Sequence, residues 1–258
     1  MKNTQVIKSA QELMTTIKSY KKQNPHDTVG FVPTMGALHS GHTSLMQKSS
    51  EENNLNVLSI FVNPTQFNNP TDLDKYPKTF EADLALAQKH DIDILYFPDF
   101  KEMYPDEYRF KVTESEFSKK LCGAHRPGHF DGVLTIVLKL LQIVKPHKAY
   151  FGLKDYQQYQ LIKDMTEAFF LDIDIIGCPT MREESGLAMS SRNTRLSTEG
   201  LKKASLIYKT ITQKISKAQA SEILTQAGFE IDYLEDIENR RYVAATLENV
   251  RLIDNVEI

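Results

Sequence analysis

Cysteine is scarce in this chain. There are two, Cys122 and Cys178, and neither belongs to a C-x-x-C pair. That argues against a disulfide scaffold and a cysteine-built zinc site, and favours a reduced, cytoplasmic setting. Long hydrophobic runs are missing as well. The greasiest stretch, 133–144, is interrupted by Thr135, Lys139 and Gln142, and it falls short of the ~20 apolar residues that a membrane span needs. Residues 1–6 lack the apolar centre of a secretion signal, so the expectation is a soluble protein with no membrane partner. Neither sign of charge dominates: 31 Lys and Arg against 34 Asp and Glu leave a net charge of −3. No basic field therefore invites nucleic acid. Repeats and low-complexity tracts are absent too.

What is present is ordinary globular material, 258 residues with 41% hydrophobic and 25% charged, enough for one large domain or two modest ones. Short apolar runs at 29–32, 57–62, 92–97, 149–151 and 173–177 read as buried strands. Helical patterns at 79–90, 132–145 and 155–170 alternate with them. This alternation predicts an α/β fold with a parallel sheet. Past about 178 the character changes to an amphipathic helix at 201–216, a helical patch at 221–226, and strand candidates at 229–234 and 242–245. The predicted division is 1–178 for the sheet domain and 179–258 for a small α+β domain.

The most informative segment is Pro33-Thr34-Met35-Gly36-Ala37-Leu38-His39-Ser40-Gly41-His42. It leaves a strand, turns at glycine and enters a helix, where unpaired N–H groups and the helix dipole suit a phosphate. His39 and His42 fall on one side of that helix start, so both imidazoles reach the anion. The spacing of Gly36, Gly41, His42 and Thr43 approaches a P-loop, but His42 stands where the permanent cation of lysine belongs.

Four further segments carry chemistry. Met189-Ser190-Ser191-Arg192-Asn193 offers hydroxyls and a guanidinium for a departing pyrophosphate, or is simply a serine-rich turn. Gly152-Leu153-Lys154-Asp155 opens a helix with a mobile cation at Lys154, while Asp155 is a helix cap, a ribose acceptor, or both. Gln158 follows one turn in. Asn63 and Gln66 place two amides at a strand's end, suited to a small hydroxy acid, although Asn63 before Pro64 is also ordinary turn chemistry. His125-Arg126-Pro127-Gly128-His129 is a basic loop, either anion-binding at Arg126 or solvated.

Taken in order, P-T-M-G-x-L-H-x-G-H, F-V-N-P-x-Q-F, Y-P-[RK]-T, R-P-x-H-F-x-G-V, F-G-x-K-D-[YF]-Q-Q and S-S-R-N make the chain resemble the pantothenate synthetase (pantoate–β-alanine ligase) family over roughly 29–196. The closing Arg251-Leu252-Ile253-Asp254-Asn255 also fits. The resemblance implies the cytidylyltransferase-like nucleotidyltransferase superfamily: a Rossmann-like domain and a small C-terminal lid. It implies ATP and Mg²⁺, the substrates (R)-pantoate and β-alanine, a pantoyl-adenylate intermediate, and a homodimer. By the same likeness, residues from Pro33 to His42, Gly152 to Asp155, Met181 and Met189 to Arg192 would bind ATP. His42, His39, Lys154, Ser190, Ser191 and Arg192 would be catalytic. Gln66, Gln158, Asn63, Arg126 and Tyr76 would hold pantoate and β-alanine. Near phosphate a protonated His42 is favoured.

Leu153 stands where the family often has a polar residue, and Asp83 is the Mg²⁺ candidate in preference to Glu81. The C-terminal domain looks short, and no contact beyond Asn193 is carried over. Two other enzyme classes share the paired histidines and a serine-rich closing motif. A nucleotidylyltransferase for a phosphorylated acceptor would want more cations at the acceptor site. A class I aminoacyl-tRNA synthetase would carry RNA-binding surface. A nucleotide sensor would have no use for both His39 and His42.

Overall fold

The structure, a computed structural model, describes residues 3–258. Among them, strands β1 (Gln5–Ile7), β2 (Val29–Thr34), β3 (Leu55–Ile60), β4 (Ile94–Tyr96), β5 (Lys148–Gly152) and β6 (Asp174–Cys178) form one sheet in the order β1-β4-β3-β2-β5-β6. Every pairing in it is parallel. β3 is buried along its whole length and β2 nearly so, as strands covered by helices on both faces must be. The helices His129–Val144 and Ala10–Gln23 cover one face through Leu134, Leu141, Leu13 and Ile17. Leu45 and Met46 of the helix Ser40–Glu52 cover the other, with Ala87 of Phe80–Lys89.

The chain crosses from β2 to β3 in one direction, yet β5 lies on β2's other flank. The strand ends of β2 and β5 therefore bound a switch point, where ligands of such sheets sit. This matches the α/β reading. The first elements were not read from the sequence, although Ser9 caps the helix Ala10–Gln23 by accepting from Glu12's N–H, a recognisable start signal.

After Cys178 come a 3₁₀ turn (Ser191–Arg195), three α-helices and an antiparallel sheet, β7 (Glu230–Ile237), β8 (Arg240–Leu247) and β9 (Val250–Glu257). Two details differ from expectation. The helix expected at 201–216 is broken into Thr198–Ala204 and Leu206–Ile211, with the Ser205 hydroxyl donating to Lys202's carbonyl at the break. β9 was missed because its hairpin turns on Glu248 and Asn249, both at positive φ (52° and 58°), without the glycine that usually marks such a turn.

Candidate active site

The turn after β2 is built before any ligand arrives. Gly36 and Ala37 take φ of 83° and 51°. A Cβ on Gly36 would lie 3.0 Å from Asp83 Oδ2, so only glycine fits there. Asp83, 2% exposed, accepts from Ala37 N–H (3.0 Å), Leu38 N–H (2.8 Å) and the Thr79 hydroxyl (3.1 Å). Asp83, expected as the metal ligand, uses both carboxylate oxygens to shape the histidine turn.

His39 caps the helix Ser40–Glu52, its Nδ1 accepting Gly41's N–H at 3.1 Å. His42 Nδ1 accepts His39's N–H at 3.3 Å, and the two rings stand 4.2 Å apart. An N–H can only donate, so both Nδ1 atoms are unprotonated and the protons sit on Nε2. Burial, then His39 and Lys154, pushes His42 down to about 3. Burial and Lys154 also lower His39, against a smaller raising effect of Asp155. In the chain alone the pair are neutral Nε2–H donors; the imidazolium expected at His42 belongs to the phosphate-bound state.

At the end of β3 the two amides part company. Asn63 is 1% exposed. Its Nδ2 donates to Gln66 Oε1 (2.9 Å) and Gly132 O (3.1 Å), and its Oδ1 accepts from the Tyr104 (2.9 Å) and Thr65 (3.0 Å) hydroxyls. Every side-chain polar atom of Asn63 is engaged, and one of these bonds fixes the amide of Gln66. Because Gln66 Oε1 is taken, its Nε2, now beside Met35 Sδ at 3.2 Å, is the end offered to the cleft. The other amide pair behaves alike: buried Gln157 is consumed by Cys122, Phe117 and Lys120 backbone, while Gln158 lines the cleft.

β5 ends at Gly152 and a short turn, Leu153–Asp155, opens the helix Tyr156–Ala168. Asp155 makes no side-chain cap bond, which leaves its carboxylate, 3.9 Å from Lys154 Nζ, available to a ribose. Leu153's side chain packs beside Gly177, and the cleft is lined here by Gly152, Lys154 and Asp155. The sequence reading missed the anchor of this turn: Asn255 of β9 donates to the carbonyls of Leu153 and Lys154, both at 2.9 Å.

The closing segment follows β6. Met189 N–H donates to Met181 O at 2.9 Å, and the Ser40 hydroxyl meets Met189's sulfur. Ser190 Oγ accepts Arg192 N–H at 3.2 Å. Arg192 and Arg195 both grip Asp72, at 3.1 and 2.8 Å. Burial alone would raise that carboxyl; the two guanidiniums hold it below its ordinary value. Burial raises Tyr76, with Ser191 and Arg192 opposing that shift, and its ring lines the same wall. Asp72 carried no signal in the sequence.

These pieces border one cleft of about 250 Å³, with Met35, His39, His42, Gln66, Tyr76, Arg126, Lys154, Gln158 and 189–192 around it. No group of three or more His, Cys, Asp or Glu able to hold a metal occurs among the described residues. Asp83 and Asp72 are hydrogen-bonded and Asp155 stands singly in the cleft, so the protein offers no ready-made cluster for Mg²⁺.

Fold and site together define an enzyme of the parallel α/β class, with imidazole, ammonium and guanidinium groups bordering the same cleft as two glutamine amides. The chain belongs to the pantoate-beta-alanine ligase family, whose profile matches residues 5–257. It is 54% identical over 255 residues to the pantothenate synthetase of Bdellovibrio bacteriovorus, covering 99% of this chain and all of that one. A pantothenate synthetase of Legionella pneumophila is 49% identical over 232 residues, 90% of this chain and 92% of its own. Among solved structures, a Francisella tularensis pantoate-beta-alanine ligase complexed with beta-gamma ATP and beta-alanine superimposes with a TM-score of 0.93 at 41% identity, covering 99% of this chain and 98% of that one. The Thermus thermophilus pantothenate synthetase gives 0.87 at 38%, covering 98% and 99%.

Proposed function

We propose that this chain joins pantoate to β-alanine in two steps at the cost of one ATP. A carboxylate oxygen of pantoate attacks the α-phosphorus of ATP, and the bond to pyrophosphate breaks. The amine of β-alanine, once deprotonated, then attacks the acyl carbon; the C–O bond to AMP breaks and pantothenate leaves. The carrying observation is that two neutral imidazole donors, Lys154 and Arg192 border the same cleft as the free amide end of Gln66 and Gln158.

Within it, His39 and His42 Nε2–H groups and the N–H groups of the helix Ser40–Glu52 stabilise charge growing on the α-phosphate. Lys154, Ser190, Ser191 and Arg192 receive the leaving pyrophosphate, and Arg192 exchanges Asp72 for it. Gln66 and Gln158 hold pantoate. Arg126 and Tyr76, both on the cleft wall, meet the carboxylate of β-alanine, the free carboxylate that remains after adenylation. Met181 and the 152–155 turn face adenine and ribose. No enzyme nucleophile is required, so catalysis rests on positioning and charge stabilisation. A metal riding on the triphosphate would draw its ligands from phosphate and water, and no step here depends on a protein seat for it. Residues 179–258 act as the lid that keeps water from the acyl adenylate. No helix among the described residues is long and apolar enough to cross a membrane. The cytoplasmic setting follows from cysteine usage, and a homodimer from the family resemblance; sedimentation tests the dimer.

AMP formation from ATP and Mg²⁺, with pantoate and β-alanine omitted singly and together, tests the reaction. Sustained AMP release only with both substrates, and at most a single turnover with pantoate alone, is the expected result. AMP release indifferent to pantoate would refute it.

A further inference from the structure

The helix His129–Val144 begins with a buried imidazole that the reaction does not use: His129 is 8% exposed. Its Nδ1 lies 2.8 Å from the carbonyl oxygen of Gln66 and its Nε2 lies 3.1 Å from Arg126 Nη1. A carbonyl can only accept and a guanidinium can only donate. His129 is therefore protonated on Nδ1 and bare on Nε2, the opposite tautomer to His39 and His42. Arg126 Nη2 reaches the same Gln66 carbonyl at 3.1 Å, which closes a triangle of three hydrogen bonds.

We propose that His129 is a positioning residue that binds Gln66 and Arg126 into one rigid unit at the acceptor end of the cleft. One ring nitrogen holds the main chain of the residue that presents an amide to pantoate. The other holds the guanidinium that faces β-alanine. The side chain of Gln66 is separately pinned by Asn63, so its backbone and its amide are fixed from different sides. The two acceptor substrates are thus registered against each other through one imidazole in the cleft wall. This rests on the functional reading above.

The two arms separate by substitution, because an asparagine amide overlays Nδ1 and a glutamine amide overlays Nε2. His129→Asn keeps the bond to Gln66 and frees Arg126; KM for β-alanine should rise about fivefold with pantoate little changed. His129→Gln keeps Arg126 and frees the Gln66 carbonyl; KM for pantoate should rise by about the same factor. KM for ATP should stay within about twofold in both, which a general loss of structure would not produce. Imidazole ¹⁵N NMR of the unmodified protein checks the same assignment without relying on any variant, and should show one Nδ1–H tautomer beside the Nε2–H pair. Variants that shift all three KM values together, or shift none beyond twofold, overturn the proposal, as does an Nε2–H signal from His129. AMP release by the unmodified protein that ignores pantoate overturns the functional reading, and this inference with it.

Discussion

Asp83→Asn separates a structural carboxylate from a metal ligand. Asp83 accepts three hydrogen bonds, two from main-chain N–H groups at 2.8 and 3.0 Å. Asparagine keeps the shape but turns one oxygen into a donor. If that end faces Leu38, one main-chain N–H meets an NH₂; if it faces Ala37, the other does, and only the Thr79 hydroxyl can rotate away. One buried N–H is left without an acceptor either way. Losing a charge-assisted bond and stranding its donor costs about 2–4 kcal/mol. For a domain of this size that is a melting-temperature drop of roughly 5–15 °C. The damage falls on the turn that carries His39 and His42, and a displacement of about 1 Å there lowers kcat by up to ~10²-fold. Differential scanning fluorimetry and a Mg²⁺ titration of AMP formation read both effects. The expected result is a large loss of stability and kcat with an unchanged Mg²⁺ half-saturation. A melting temperature within about 1 °C of the parent, together with a raised Mg²⁺ requirement, would refute the reasoning and return Asp83 to the metal.

Acid should destabilise the chain through its buried histidines. His42 and His129 titrate near about 3 when folded, below the ~6.5 of an unfolded imidazole. Their contribution is complete above pH ~6.5 and is lost as pH falls toward 3, by up to ~1.4 kcal/mol per pH unit each. Denaturant midpoints between pH ~7 and ~5 should fall, less steeply in His129→Gln; equal slopes would contradict the assignment. Gly132→Ala should raise KM for pantoate about tenfold and spare ATP, because its Cβ would stand 2.6 Å from Thr65 O and 2.8 Å from Gln66 N; unchanged pantoate kinetics would mean the 64–66 turn tolerates the push. Asn255→Ala removes both bonds from β9 to the 153–154 turn, each worth about 0.5–1.5 kcal/mol, and should raise KM for ATP several-fold; an effect confined to pantoate would place the turn elsewhere. His42→Ala should slow adenylate formation by ~10²-fold with the fold intact, and near-normal turnover would remove His42 from the mechanism.

The cleft was legible because its working side chains come in short local patterns. His39, Gln66, Lys154 and Gln158 each follow the end of a parallel strand, and the switch from strand to turn to helix is written within a few residues. The supports were not legible, since each is decided by a partner far along the chain. Asn63 and Gln66 read as the same chemistry, two amides beside a proline. Which one is spent depends on Tyr104 and Gly132. Asp83 looked like a ligand for the same reason: a carboxylate near a phosphate site is either an open donor set or a brace, and only Ala37 and Leu38, 46 and 45 residues away, decide it. The 201–216 helix and β9 failed on weaker grounds, a serine that breaks a helix and a turn that needs no glycine. The common element is hydrogen-bond capacity. Gln66 still offers its amide nitrogen to the cleft, whereas Asn63 braces that amide and Asp83 braces the turn that carries His39 and His42. Residue type tells which groups can do chemistry; the distribution of long-range partners determines which of them still can.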